Sequence, residues 1–299
     1  METVSCVICG NADSSMLSDT GRWGLPLSTV VCRHCGLVYS SPRLDQKEYD
    51  LFNTYFYRIF YQGHSAPNLD YVRDQGLRAK KVDRYLLDNN IDISAMDSVL
   101  DVGCSAGGML NYFKSKGLSI CDGIEPNPEY AKYGNETFGV NIQVGNVESF
   151  QSNTHYDLII MRDVLEHFRF PNQALVKIRQ LCKPSTVIFI ETNNVFRPLF
   201  PWDHYRENFQ YVHPFTFSIT SLTNILRQTG FDIGCVENNR YLKCIAKPIE
   251  ADPDYLKCED YQSIESYIAH HNKTLPFKKL DFFLRSNFYQ IRKKLGMLS

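Results

Sequence analysis

The chain has 299 residues, 43% of them apolar and 22% charged, a composition typical of a globular protein with one large and one small domain. Its formal net charge of -1 creates no positive field, so we expect no nucleic-acid partner. Apolar runs such as residues 186–190 are far shorter than the roughly 20 residues of a membrane-spanning helix. The first residues lack a basic stretch followed by an apolar one, so we expect a cytoplasmic protein.

Two C-x2-C pairs, each followed by glycine, stand near the N-terminus with 22 residues between them. Four thiolates at this spacing can close a tetrahedral zinc site with no open position. We therefore predict a structural zinc ribbon over residues 1–45, in which the metal supplies folding energy that so short a segment lacks. Free thiols and a redox pair are the alternatives, and His34 is the alternative fourth ligand. The predicted ligands are Cys6, Cys9, Cys32 and Cys35.

A linker over residues 46–95 follows the ribbon. Aromatic residues crowd its first part, from Tyr49 to Tyr61, a pattern that is more typical of packing than of a binding surface. Leu77, Val82 and Leu86 then recur at helical spacing among basic residues. This periodicity predicts an amphipathic helix over residues 75–87 that packs on a sheet.

The segment VLDVGCSAGG, residues 99–108, predicts a strand, a glycine turn and a helix. Apolar residues surround Asp101, glycines follow, and Met109, Leu110 and Phe113 then recur at helical spacing. Such a turn lets the backbone approach a ligand closely at the carboxyl end of a strand, where open α/β sheets bind their ligands.

The next predicted strand ends at Glu125, 24 positions after Asp101. Two carboxylates at the tips of adjacent parallel strands suit a ligand with an amino group and a ribose diol. One carboxylate can face the ammonium, and the other can accept hydrogen bonds from both hydroxyl groups. The G-x-G-x-x-G pattern of dinucleotide-binding proteins is missing.

The remaining pattern alternates strands with helices, as a parallel sheet requires. We predict one three-layer α/β domain over residues 96–248, with a mainly parallel sheet and a cleft at the carboxyl ends of its strands. Its later helices are predicted at residues 128–138, 171–181 and 219–229, and its later strands at residues 141–144, 156–161, 186–192, 231–236 and 241–247.

A long connection, residues 193–217, interrupts this alternation and is rich in aromatic and charged residues. Loops of this length inside compact domains are usually functional or disordered, and the aromatic content favours function. We predict that it is a substrate-binding insert. The candidate substrate-binding residues are Arg197, His204, Tyr205, Arg206 and Tyr211.

The tail, residues 249–299, is predicted to be helical. From Lys273 onward it holds seven Lys or Arg residues and one acid, Asp281, interleaved with apolar residues. This pattern indicates a basic amphipathic helix. Such a helix either packs on its own domain with a solvated basic face, or makes a peripheral contact with a membrane surface or another protein.

The motif D-x-G-x-S-x-G, from Asp101 to Gly107, resembles the first motif of class I S-adenosylmethionine (SAM) dependent methyltransferases, with Ser105 at the place of a glycine. Glu125 in GIEPNP resembles the ribose-binding acid of that family, and Asn146 stands where an Asp usually reads the adenine. This resemblance implies a Rossmann-like fold, with the aromatic segment as a lid over the cofactor. It implies that SAM contacts Asp101, Gly103, Ser105, Gly107, Glu125, Pro126, Asn146, Val147 and Arg162.

The stretch RDVLEH, residues 162–167, is similar to the D-x-L-E-H of many small-molecule methyltransferases. Methyl transfer is an in-line displacement from an activated donor, so a hydroxyl acceptor needs alignment and a base. His213 and His167 are the candidate bases, with Asp163 and Glu166 as alternatives that suit positioning better. A nitrogen acceptor needs no base, and a carbon acceptor needs an acidic C–H.

A four-cysteine ribbon ahead of such a domain is similar to bacterial methyltransferases of sugar and polysaccharide biosynthesis. The resemblance implies that the acceptor is a hydroxyl of a nucleotide sugar or glycan, with Arg197 and Arg206 available for phosphates. Sugar C- or N-methylation and a non-catalytic binding protein are the alternatives.

Overall fold

Two sheets organise the chain in the computed structural model, which describes residues 1–63, 66–259 and 261–294. A four-stranded sheet lies in the N-terminal part, and a seven-stranded sheet forms the centre. The strands are β1 (Ser14–Thr20), β2 (Pro26–Cys32), β3 (Val38–Ser40), β4 (Ser98–Val102), β5 (Ile120–Glu125), β6 (Asn141–Val144), β7 (Tyr156–Arg162), β8 (Cys182–Asn193), β9 (Phe215–Thr216), β10 (Phe231–Asn238) and β11 (Tyr241–Pro248). The helices are α1 (Gln46–Leu51), α2 (Tyr57–Gln62), α3 (Leu69–Asp88), α4 (Gly108–Ser115), α5 (Pro128–Phe138), α6 (Pro171–Gln180), α7 (Ile219–Gln228) and α8 (Tyr261–Lys294).

The central sheet has the order β10-β11-β8-β7-β4-β5-β6. Its strands from β8 to β6 pair in parallel, whereas β11 is antiparallel to both of its neighbours. Chain order reverses between β4 and β7, and open α/β sheets bind their ligands at such a reversal, beyond the carboxyl ends of the strands. The predicted α/β class with a mainly parallel sheet is therefore confirmed.

Two apolar cores cover the opposite faces of this sheet. Leu100 and Val102 of β4 face α6 and α7, whereas Val99 faces the side of α3, α4 and α5. In β7, Ile159 and Ile160 divide between the same two cores. Since successive side chains of a strand point to opposite faces, the continuous apolar runs of β4 and β7 indicate strands that are buried on both sides. This arrangement gives the three predicted layers.

The N-terminal sheet also includes β9, a strand that follows β4 to β8 of the central sheet in the sequence. Its order is β1-β2-β3-β9, and Tyr39 of β3 pairs with Phe215 of β9. Cys32, Leu37 and Tyr39 belong to the apolar core that also contains Leu222 of α7. The ribbon thus shares a sheet and a core with the rest of the protein. Because it buries apolar surface there, its folding depends less on the energy that a metal would supply.

Several elements extend beyond their predicted bounds. Helix α3 begins at Leu69 instead of residue 75, because the side chain of Asn68 caps it by accepting the N–H of Tyr71 at 2.8 Å. The aromatic segment is helical, and α1 continues through one π turn, Phe52–Phe56, into α2. Helix α5 and strand β6 have their predicted bounds.

Helix α8 packs its first part on the connection between β8 and α7. Ile264 and Ile268 are buried in a cluster with Val195, Tyr205 and Phe209. Side chains beyond Lys279 and residues 295–299 lie outside the described residues, so the basic face of this tail stays a prediction. In the described part of the chain, no helix combines the length and the apolar character that a bilayer crossing requires.

Candidate active site

A cleft of about 710 Å³ lies beyond the carboxyl ends of β4, β5 and β7. Helices α1 and α3 and the π turn between α1 and α2 form its opposite wall, with Tyr49, Asn53, Tyr71 and Arg78 lining it. Eight of the nine residues predicted to contact SAM line this cleft, and the ninth, Gly107, does not.

The turn after β4 needs glycine at position 103. Gly103 has a φ of +72°, and a Cβ there would lie 2.6 Å from Cγ2 of Val164. Gly107 opens α4 with a φ of +74°, and a Cβ there would meet Ile142 at 3.0 Å. The expected cofactor contact of Gly107 is therefore replaced by close packing of the turn against β6.

Ser105 adopts a conformation that glycine usually provides. Its φ is +54°, in the left-handed region that costs an L-residue roughly 1–2 kcal/mol. The N–H of Ser105 donates to Glu125 at 2.9 Å, and its hydroxyl lies 3.0 Å from the hydroxyl of Tyr71. These contacts hold the strained turn and join it to α3.

Glu125 is held by one backbone donor on each oxygen. Its Oε2 accepts the N–H of Ser105, and its Oε1 accepts the N–H of Asn127 at 3.0 Å. The side chain is only 3% exposed. Because a carboxylate oxygen can accept more than one hydrogen bond, a glutamate held in this way suits a ribose diol.

Asp101 lies at the base of the cleft and is 4% exposed. Burial raises the pKa of this carboxyl to about 8; the nearby charge of Arg162 opposes the shift and that of Glu125 adds to it. A cationic ligand beside Asp101 would favour the ionised form. The site therefore suits an ammonium group at this position.

Arg162 and Asp163 end β7 in an ion-pair network. Arg162 contacts Asp163 at 2.8 Å and Glu191 at 2.5 Å, and Arg78 lies 3.7 Å from Asp163. Asp163 has a φ of +53°, so its backbone is also held in the left-handed region. Two guanidinium groups thus hold this carboxylate in place, which suits a positioning role for Asp163.

Glu166, a predicted alternative base, does not line the cleft. It is 2% exposed and accepts a hydrogen bond of 2.7 Å from the hydroxyl of Thr192. Burial raises its pKa to about 8, and the charge of Asp163 adds to this shift. The short 3-10 helix Leu165–His167 turns Glu166 inward and His167 toward the cleft. From this position Glu166 does not meet a ligand in the cleft.

Pro126, Asn146 and Val147 form the wall beside β5. The Oδ1 of Asn146 accepts the N–H of Ser149 at 3.0 Å, and its backbone N–H donates to the hydroxyl of that serine. This turn orients the carboxamide, whose NH₂ can donate to a ring nitrogen. An Asp at this position could only accept.

The two predicted histidines lie together. His167 lines the cleft and His213 lies behind it, with their Nε2 atoms 3.1 Å apart and their rings edge to face. Burial lowers the pKa of His213 well below its usual range, and the neighbouring His167 adds to the shift. His213 is therefore neutral near pH 7. His167, and not His213, is the imidazole that meets the cleft.

Tyr49 fixes the backbone of both histidine segments. Its hydroxyl has one proton to donate and lies within hydrogen-bond distance of two carbonyl oxygens, those of His167 and Val212, the latter at 3.1 Å. Gln210 flanks the pair on its buried side, with Nε2 3.3 Å from Nδ1 of His213. The pair is thus enclosed by polar contacts from α1 and from the segment before β9.

None of the five residues predicted to bind substrate lines the cleft. Tyr205 is buried and donates to Val195, and Tyr211 donates to Pro26. His204 and Arg206 line a separate surface cavity, and Arg197 lies in the connection near Asn194. These residues do not reach the cleft because the connection packs between the ribbon sheet and α8. The part of the cleft next to His167, called the acceptor wall below, is lined mainly by Tyr49, Asn53, Tyr57, Phe168, Phe170 and Gln173.

Sequence reasoning assigned no site role to Tyr71, Gln75 or Arg78 of α3. Gln75 donates to the carbonyl of Cys104 at 3.2 Å and accepts the N–H of Gly108 at 3.3 Å. Asn68 was the signal that could have found them. An asparagine at this position indicates a helix N-cap, and hence an earlier start of α3.

The four ribbon cysteines converge, and their Sγ atoms all lie within 4.8 Å of one another. Cys6 and Cys35 are 3.4 Å apart, and Cys9 and Cys32 are 3.5 Å apart. A tetrahedron with Zn–S bonds of about 2.3 Å places its sulfurs about 3.8 Å apart, so this set fits the metal.

Comparison with known proteins agrees with this geometry. A family model described as "Methyltransferase domain" matches residues 69–236. The chain is 31% identical over 107 residues to a ubiquinone biosynthesis O-methyltransferase from Rickettsia canadensis (strain McKiel), covering 34% of this chain and 45% of that protein. It is 26% identical over 122 residues to the protein of the same name from Rickettsia prowazekii (strain Madrid E), covering 40% and 48%.

The chain thus spans less than half the length of these curated relatives. Among solved structures, the PH0226 protein from Pyrococcus horikoshii OT3 superposes with a TM-score of 0.51 and 17% identity, covering 64% of this chain and 98% of that protein. At this identity the likeness shows the fold alone.

Proposed function

Since the chain belongs to the methyltransferase-domain family, we propose that it transfers a methyl group from SAM to a hydroxyl group of a small molecule. One observation carries the proposal: a single cleft joins the carboxylates of Asp101 and Glu125 at the strand ends to the His167–His213 pair. The first part suits the donor, and the second suits deprotonation of an acceptor.

The residues around the turn suit SAM. Gly103 lets the turn pack closely against Val164, and Glu125 is oriented to accept hydrogen bonds from a ribose diol. Asp101 can face the ammonium, and Asn146 can donate to a ring nitrogen of adenine. When bound, SAM supplies a methyl group that is already activated by its sulfonium.

His167 is the residue that we assign as the base. It lines the cleft, and the neutral His213 contacts it from behind. A neutral imidazole can accept the proton of a hydroxyl, and a second neutral imidazole can stabilise the resulting cation by accepting its N–H. His213 thereby acts on the acceptor only through His167.

The acceptor wall favours an uncharged hydroxylated ring. Each arginine lining the described cleft already has a carboxylate partner: Asp74 and Asp163 for Arg78, Asp163 and Glu191 for Arg162, and Glu2 for Arg169. A diphosphate would therefore compete with existing ion pairs. The name of the Rickettsia relatives, O-methyltransferase, supports an oxygen acceptor. A phenol and an uncharged sugar both meet this description, whereas a nucleotide sugar meets it less well.

We also propose that the ribbon holds one zinc ion through Cys6, Cys9, Cys32 and Cys35. Four thiolates leave no open position, so the metal would stabilise the ribbon and take no part in methyl transfer. Gly10 and Gly36, each with φ above +60°, let the chain turn back after each pair.

The test has two stages. Calorimetry with the full chain should show SAM binding, and the absence of binding by folded protein would contradict the proposal. Methyl transfer is then measured against matched panels of catechols and phenols, free and polymeric sugars, and nucleotide sugars, with products identified by mass spectrometry. Transfer to oxygen supports the proposal, whereas transfer to nitrogen or carbon alone would overturn it.

A further inference from the structure

We propose that Asp50 is a specificity-determining residue that accepts a hydrogen bond from a hydroxyl group of the acceptor and disfavours acceptors that carry an acid. The inference rests on the proposed function of this cleft and narrows the acceptor to an uncharged molecule with at least two hydroxyl groups. Asp50 belongs to α1, is exposed and lines the cleft.

Helix α1 and the π turn after it present a polar face to the cleft. Four polar residues at three- to four-residue spacing line the cleft there: Gln46, Asp50, Asn53 and Thr54. Side chains at this spacing lie on one face of a helix. Such a face usually meets water, whereas this one meets a cavity beside the acceptor wall. It offers hydrogen-bonding groups that match hydroxyl groups.

Gln46 orients the carboxylate of Asp50. Its Nε2 donates to Oδ1 of Asp50 at 2.8 Å, and its Oε1 accepts a hydrogen bond of 2.8 Å from Nη1 of Arg169. A guanidinium can only donate and an ionised carboxylate can only accept, so these two partners fix which end of the Gln46 carboxamide is the oxygen. The direction of the Asp50 carboxylate is therefore set from Arg169.

Arg169 is a rigid anchor for this relay. It is 7% exposed, its Nε donates to the carbonyl of Leu44 at 3.1 Å, and its Nη2 forms an ion pair with Glu2. Arg43, also buried, contacts the same carboxylate of Glu2 at 3.2 Å and donates to the carbonyl of Arg169 at 2.8 Å. Each nitrogen of the Arg169 guanidinium thus has a protein partner, so Arg169 holds the relay and does not serve an acceptor acid.

The carboxylate of Asp50 retains acceptor positions for a ligand. Of the residues that the structure describes, only Gln46 hydrogen-bonds this side chain, and a carboxylate has about four acceptor positions. A hydrogen bond from a hydroxyl to an ionised group is stronger than one between neutral groups. An acid on the ligand would instead meet a like charge. Asp50 therefore favours a hydroxyl at this place and disfavours a carboxylate or phosphate.

Asp50→Asn tests the inference with two probes, catechol and 3,4-dihydroxybenzoate, which differ by one carboxylate. Binding is measured by calorimetry in full-length protein saturated with S-adenosylhomocysteine, so no methyl transfer is needed. Asparagine keeps an oxygen for Gln46 and loses the charge. The Kd for catechol should rise about 5- to 10-fold. The Kd for 3,4-dihydroxybenzoate should fall about 3- to 10-fold, because the repulsion is removed.

These opposite changes separate the charge of Asp50 from a general loosening of the site, which would weaken both probes. Gln46→Leu should weaken catechol and retain the preference for it, because the carboxylate stays and only its orientation is lost. Asp70→Asn, at an exposed carboxylate of α3 that does not line the cleft, is the control and should leave both affinities unchanged.

An unchanged ratio of the two dissociation constants in Asp50→Asn, or no binding of either probe to parent and variant, would overturn the inference. Methyl transfer to a hydroxyl with an unchanged ratio would refute the role of Asp50 alone. If the ratio follows residue 50 in a protein that methylates no acceptor, the proposed function fails and the binding role of Asp50 stands.

Discussion

The Nε2 atoms of His167 and His213 lie 3.1 Å apart, although 46 residues separate them in the chain. His167 follows β7, whereas His213 precedes β9, and β9 is held by β3 of the ribbon. Ser40 of β3 donates its N–H to the carbonyl of Pro214 at 2.8 Å. The ribbon therefore anchors the segment that carries one of the two imidazoles.

Replacement of either histidine by Asn should separate binding from chemistry. His167→Asn should lower kcat by about 10²–10⁴, the usual contribution of a positioned base, and His213→Asn should have a smaller effect because it acts through His167. SAM affinity, measured by calorimetry, should stay within about twofold for both variants. The exposed His270 provides a matched control, and His270→Asn should behave as the parent. Full turnover in His167→Asn would show that the base lies elsewhere.

Glu125→Gln should weaken SAM binding by about 1.5–3 kcal/mol, because it removes the charge from the hydrogen bonds to the ribose. The variant keeps one acceptor oxygen, so the N–H of either Ser105 or Asn127 loses its partner and the folding stability should fall by about 1–3 kcal/mol without loss of the fold. Calorimetry gives the affinity and a thermal melt gives the stability. Glu129→Gln, at an exposed carboxylate four residues later, is the control and should leave the affinity unchanged.

Asp101→Asn should stabilise the ligand-free protein at alkaline pH while it weakens SAM binding. Burial raises the pKa of Asp101 to about 8 from an unfolded value near 3.8. Between these values the folded state binds the extra proton, so stability falls as pH rises through this window. Asparagine does not ionise, so in the variant this dependence of folding stability on pH should disappear.

Thermal melts at pH 5 and pH 9 provide the measurement for this prediction. The Tm of Asp101→Asn should exceed that of the parent by several degrees at pH 9, at about 2–4 °C per kcal/mol, and by less at pH 5. Asp97→Asn, at an exposed carboxylate, should not produce this difference. A lower Tm for Asp101→Asn at pH 9 would contradict the prediction.

The purified protein should contain about one zinc per chain, and Cys6→Ser should lose it. Loss of the metal should increase hydrogen exchange in β1 to β3 and also in residues 213–217, because β9 pairs with β3. Cys258→Ser, at an exposed single cysteine, should keep both zinc and protection. Elemental analysis and exchange mass spectrometry measure the two effects. A zinc-free parent with full exchange protection would refute the assignment.

The local pattern of the sequence determined the type and order of the elements of the central domain, although not the bounds of each one. Alternation of short apolar runs with helical periodicity predicted the parallel sheet, and the glycine turn after Asp101 predicted the position of the cleft. The spacing of the cysteine pairs predicted the cluster in the same way. These features depend on residues close together in the chain, where periodicity and turn chemistry act directly.

Tertiary structure decided which side chains meet. The 3-10 helix after β7 turns Glu166 inward, toward Thr192 of β8. The contact between His167 and His213 and the burial of Tyr205 follow from how the connection after β8 packs between the ribbon and α8. Pairing of β3 with β9 joins residues far apart in sequence, and two residues of strand leave no periodic signal. Side-chain direction and long-range pairing are set by the burial of apolar surface across the whole molecule, which local patterns do not encode.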